Sequence, residues 1–83
     1  MSRLEKLYMR VAAAPANARF EDVVHLAEAV GFVCHRIRGS HHIFLHQDDP
    51  SAVLTLVPEQ GQARPYQVRQ LLDLIDRLEL WRW

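Results

Sequence analysis

A chain of 83 residues buries about 60 to 65% of the surface its unfolded form exposes, enough for one domain with a single modest core. Ten Lys and Arg residues balance ten Asp and Glu, so with the five histidines neutral the formal net charge is zero, and any binding of a polyanion has to come from a local patch. The single cysteine, Cys34, excludes an internal disulfide framework, no Cys-x-x-Cys pair suggests a zinc knuckle, and neither a signal-peptide stretch nor about 18 apolar residues in succession occurs, so a soluble cytoplasmic protein without a membrane partner is expected.

Three helices and three strands are readable in chain order. Ser2 followed by Glu5 has capping-box spacing, and Leu4, Leu7, Tyr8 and Val11 recur at helical intervals before Pro15, which predicts a first helix at about 3 to 13. From Phe20 to Val30 the residues Phe20, Val23, Val24, Ala27 and Val30 follow the same rule, and Gly31 stands where a helix-terminating glycine belongs. Phe32 to Arg38 and His41 to His46 then read as strands joined by Gly39-Ser40, a glycine-first pair suited to a type II′ hairpin turn. A third strand, Ala52 to Val57, follows the polar connection 47–51 and ends at Pro58. Pro65 opens the last helix, with Tyr66, Val68, Leu71, Leu72, Ile75 and Leu78 along its apolar face and Gln67, Arg69 and Gln70 on its wet face.

The order α-α-β-β-β-α predicts a two-layer α+β domain, a three-stranded antiparallel sheet with helices on one face and the other face left for solvent or a partner. The whole chain is one domain: a helical extension at 1–18, a core at 19–78 and a Trp-rich tail at 79–83. Cys34, inside an apolar strand, reads as a small core residue.

The hairpin has a chemical consequence. If Gly39-Ser40 is the turn, Arg38 and His41 are directly opposed with Cβ atoms roughly 5 Å apart, and Arg36 lies two residues back on the same side. A guanidinium fork fits a phosphate, and an imidazole can give or take a proton near neutrality, so the pair suits a phosphodiester. Ile43 and Leu45 fall on that same side, however, and a bulge would change the parity.

Gly39-Ser40-His41-His42-Ile43-Phe44, preceded by "GFVCHRIR" and followed by His46, resembles the Gly-Ser-His strand-turn-strand of HicA-type toxins, the messenger-RNA interferases of bacterial type II toxin-antitoxin pairs. The segment "RPYQVRQLLDLI" is similar to the final helix of longer HicA-like members that carry an extra N-terminal helix, and the resemblance spans about residues 19 to 78. It implies a double-stranded-RNA-binding-domain-like fold, metal-independent cleavage of messenger RNA without a cofactor, a catalytic histidine at His41, and neutralisation by a HicB-type antitoxin. In such a mechanism the RNA's own 2′-hydroxyl attacks the neighbouring phosphorus. His41 acts as general base or acid, a role worth about 10²- to 10⁴-fold, and Arg38 and Arg36 hold the phosphate. Gly39, Ser40 and His42 complete the expected RNA-binding set. The second proton-transfer group is left open among His42, His35 and water.

Two other classes of function compete. The domain can bind RNA without cutting it, through phosphate and 2′-hydroxyl contacts to A-form shape. It can also be a protein-interaction module, with "LELWRW" as the docking element and Trp81 and Trp83 at a homo-oligomer contact. His42 and His46 alternate on one strand face and, with His35, make a conceivable metal trio, but no Cys or acidic residue is spaced to complete the shell.

Overall fold

The first helix, α1, runs from Arg3 to Ala13, where the Ser2 hydroxyl accepts a hydrogen bond from the Glu5 N–H at 3.0 Å and so caps one of the free donors of the first turn. This computed structural model describes residues 2–80; the readings that concern Trp81, Trp83 and an oligomer through them fall outside the described residues. Val11 is the fully buried residue of α1, and Leu4, Leu7 and Tyr8 pack partly buried against the core. A 3₁₀ turn at Pro15–Asn17 leads to α2, Phe20–Ala29. No side chain caps α2. The Phe20 N–H donates to the Gly61 carbonyl at 2.9 Å, so a distant turn supplies the missing acceptor. Helix α2 buries Val23, Leu26 and Ala27; Leu26, absent from the apolar set read off the sequence, is wholly inside.

Strands β1 (Phe32–Arg38), β2 (His41–His46) and β3 (Val53–Leu56) form an antiparallel sheet in the order β1-β2-β3. One face carries Phe32, Phe44, His46, Leu54 and Leu56 into the core with α2 and α3, the latter spanning Pro65–Arg77. The architecture is therefore the expected two-layer α+β domain. One element had no expectation behind it: after β3 the chain makes a hairpin of two-residue strands, β4 (Pro58–Glu59) and β5 (Gln62–Ala63), around Gln60-Gly61. It is stitched to the start of α2 by the Ala63 N–H donating to the Ala18 carbonyl at 3.1 Å. No helix among the described residues is long and apolar enough to cross a membrane.

Two side chains in and beside α3 exchange their expected roles. Tyr66 is 61% exposed, whereas Gln67, read as part of the wet face, is buried alongside Val68, Leu71, Leu74 and Ile75. The reason is a backbone group. At Val57 the chain leaves the sheet, and the Val57 N–H donates to Gln67 Oε1 at 2.8 Å while Gln67 Nε2 donates to the Tyr66 hydroxyl at 3.3 Å. A buried peptide donor without a ladder partner needs such an acceptor. Helix α3 then closes with Glu79 at φ +54, the Glu79 N–H donating to Asp76 and the Leu80 N–H to Ile75 at 2.8 Å. This is the six-to-one pattern that reverses a chain at a helix end, here without the usual glycine.

The β2–β3 end of the sheet is tied down by His46. Its Nε2 donates to the Val30 carbonyl at 2.8 Å, its Nδ1 accepts from the Asp48 N–H at 3.1 Å, and its ring stands edge-on to Phe32 at 5.0 Å between centroids. Those partners assign the proton to Nε2 and join α2, β1, β2 and the following loop in one buried knot.

Candidate functional site

The β1–β2 turn builds the site. Gly39 has φ +59 and Ser40 a negative φ, as a glycine-first type II′ turn requires, and the register sets Arg38 opposite His41 and Arg36 opposite Ile43. Between Cys34 and Arg36 the pairing shifts, leaving His35 as the extra residue of a bulge. Cys34 is exposed in this irregular edge strand, not in the core as its apolar neighbours suggest.

Alternation then sorts the side chains. The face turned away from the helices carries Arg38 beside His41, then the row Arg36, Ile43 and Thr55, then the row Val33, Leu45 and Val53. Arg36, Arg38 and His41 are exposed, and Val33 and Val53 remain 56% and 44% exposed, so no described element lies over this face. Ile43 and Leu45 were legible on this side in the alternation, but no functional expectation was attached to them or to Val33 and Val53.

His42 goes the other way. It points to the helix side, half-buried, with its ring edge-on to Phe20 at 5.1 Å between centroids. The outer face thus brings together Arg36, Arg38 and His41, with Gly39 and Ser40 exposed at the turn, and does not bring His42 to them. His35 is exposed in the bulge. His46, the remaining histidine of β2, has both ring nitrogens engaged by backbone.

The cations of this neutral chain differ in their partners. Arg10, Arg19, Arg64 and Arg77 each lie against a carboxylate, whereas Arg36 and Arg38, like Arg3, Lys6 and Arg69, have no ion-pair partner among the described residues. Both α2 and α3 direct their N-terminal ends toward the turn: Phe20 meets His42, and Gln67 meets Val57 where β3 ends. The positive ends of two helix dipoles therefore lie on the same side as the free guanidinia. Glu28, Asp48, Asp49, Asp73, Asp76 and Glu79 sit at the other end, on the C-terminal parts of the helices and the β2–β3 loop. Asp49 is held below the ordinary carboxylate value of 3.8 by the Ser51 hydroxyl, donating at 2.5 Å, and by the Ser51 N–H at 3.2 Å.

An exposed imidazole beside a free guanidinium can move a proton and hold an anion at neighbouring points. Compared with known proteins, residues 20–76 match the family described as HicA toxin of bacterial toxin-antitoxin, a span from the first residue of α2 into the last turn of α3. No curated protein and no solved structure matches the chain.

Proposed function

Because the chain belongs to the HicA toxin family of bacterial toxin-antitoxin systems, we propose that it is an endoribonuclease that cleaves messenger RNA without a metal and is silenced by a HicB-type antitoxin. The observation that carries this reading is the directly paired Arg38 and His41 on an uncovered sheet face, with neither Arg38 nor Arg36 in an ion pair among the described residues. The RNA 2′-oxygen attacks phosphorus, the bond to the 5′-oxygen breaks, and the products are a 2′,3′-cyclic phosphate and a 5′-hydroxyl. His41 either takes the 2′-proton or gives one to the leaving oxygen. Arg38, with Arg36 one row behind, stabilises the charge that builds on the phosphoryl oxygens. The partner proton carrier on this reading is water or the exposed His35, since His42 faces Phe20.

The test is cleavage of a defined RNA with end-group analysis of the products, in the presence of EDTA. His41→Ala should abolish cleavage and leave RNA affinity nearly intact. Full activity in that variant, or loss of wild-type activity on chelation, would overturn the assignment. A second reading, RNA binding without cleavage, is favoured by the presence of a single histidine on the outer face, and wild-type protein that binds but never cuts would select it. Growth arrest on expression alone, relieved by coexpression of a HicB-type antitoxin, tests the toxin role in the cell.

A further inference from the structure

Beyond the row of Arg38 and His41, the outer sheet face carries Arg36, Ile43 and Thr55, and then Val33, Leu45 and Val53. Arg36 and Arg38 stand two positions apart on one strand, about 7 Å, with their side chains on the same face. Ile43 and Leu45 follow one another along the central strand, and Val33 and Val53 flank Leu45 from either side. The two guanidinia therefore run directly into an aliphatic floor. No outward residue of these rows is acidic.

Resting on the reading of the site as a ribonuclease, we propose that its substrate is RNA in single-stranded form: Arg38 and Arg36 hold successive phosphates, and an unstacked base of the same strand lies on the floor centred on Leu45. The chemistry asks for such a substrate. The 2′-oxygen, the phosphorus and the departing 5′-oxygen have to stand in line, whereas an A-form duplex holds the 2′-oxygen to one side of that bond. Alignment swings a nucleotide out of its stack, which costs least in a strand without a complement. The freed base offers a flat face of low polarity that aliphatic side chains can cover. A duplex turns sugars and phosphates outward, and setting those groups on Leu45 and Val53 would strip them of water without a compensating hydrogen bond. Two cations without ion-pair partners, no anion in the rows, and continuity with the catalytic pair favour a polyanion with apolar faces over a protein surface. Leu45 and its valine flanks carry no donor or acceptor for a base edge, so the selection is for an unpaired nucleotide and not for a particular base.

The test measures binding by fluorescence anisotropy with 2′-O-methyl RNA, which lacks the attacking hydroxyl and stays intact in the presence of a ribonuclease. The probes are a mixed-sequence single strand, the same strand annealed to its complement, and an abasic strand of the same length. The single strand should bind more tightly than the duplex and about tenfold more tightly than the abasic strand, the ratio that burial of roughly 50–60 Å² of apolar surface supplies. Leu45→Ser should remove most of that advantage and leave the log-log salt slope unchanged, since no phosphate contact is lost. Should Leu45→Ser not fold by circular dichroism, Val33→Thr with Val53→Thr carries the same expectation, both positions being exposed. Duplex bound as tightly as the single strand would overturn the inference, as would an advantage that survives in the folded variants; His41-dependent cleavage would then leave the ribonuclease reading standing. Unchanged RNA affinity in Leu45→Ser with weakened capture of a HicB-type antitoxin would overturn it in favour of that protein. RNA bound in none of the three forms would overturn the inference and the ribonuclease reading together.

Discussion

Gly31→Ala should be far more damaging than Gly39→Ala, although each adds one methyl to a glycine with positive φ. At Gly39, φ is +59 and an added Cβ meets nothing within 4 Å, so the penalty is conformational, about 1–2 kcal/mol. At Gly31, φ is +104 and the Cβ would lie 2.7 Å from His46 Nε2 and 3.1 Å from its Cε1. The ring cannot swing aside freely, because its two nitrogens hold Val30 and Asp48, and each such bond contributes about 0.5–1.5 kcal/mol. Adding loss or weakening of those bonds to the conformational penalty gives roughly 2–4 kcal/mol for Gly31→Ala. A domain of this length has a total stability of roughly 4–12 kcal/mol, and each kcal/mol shifts its midpoint by about 4–8 °C, so the melting temperature should fall by roughly 10–30 °C. Thermal and urea unfolding by circular dichroism measure it. In a His46→Ala background the part of the penalty due to the ring should vanish, leaving the conformational cost at φ +104 and the 3.2 Å approach to Gln47 Nε2, a double-mutant cycle that isolates the contact. Equal melting of the two single variants would refute the idea that the His46 knot is rigid.

Gln67→Leu should destabilise the domain by about 1–3 kcal/mol by leaving the buried Val57 N–H without an acceptor, and unchanged urea unfolding would show that water or a shifted backbone replaces the amide. Asp49 has a folded-state value lowered from 3.8, so its stabilisation is complete above that pH and is lost as the pH falls through the lower folded value; the wild-type advantage over Asp49→Asn should therefore shrink only in strong acid, as followed by pH-dependent unfolding. Arg38→Ala should weaken RNA binding and reduce the log-log salt slope by about 0.7 for single strands or 0.9 for duplex, whereas an unchanged slope in filter binding across salt would remove Arg38 from the phosphate contacts.

Helix and strand positions were legible because periodicity and punctuation agreed: Ser2, Gly31, Gly39 and Pro65 each stand at a boundary of an element or of the hairpin turn. Four features were not. The pair Tyr66 and Gln67 differ by one step around α3, and an apolar pattern cannot show that a buried N–H at Val57 will draw the amide inward and leave the phenol outside. Strands β4 and β5 are two residues each, too short for alternation to register. Cys34 has apolar neighbours and the composition of a core position, yet the irregular edge leaves it exposed. Adjacency in sequence groups His42 with His41, whereas strand alternation separates them, and the ring of Phe20 occupies the face that His42 enters.

The bulge at His35 reconciles two demands that a regular strand could not meet together. Phe32, Arg36 and Arg38 share the same parity, so an uninterrupted β1 would place all three on one face. Phe32 must face inward, because it packs edge-on to His46 and lies in the core beside Phe44. Arg36 and Arg38 must face outward, because burying two unpaired guanidinia under the helices would be far more costly than any packing there returns. One extra residue between Cys34 and Arg36 reverses the parity within the strand. It leaves the pairing of Arg38 with His41 as the turn dictates, and shifts the change of face to the half of β1 nearer α2. A device at the sheet edge therefore lets one seven-residue strand serve the core at its first residue and the exposed site at its last.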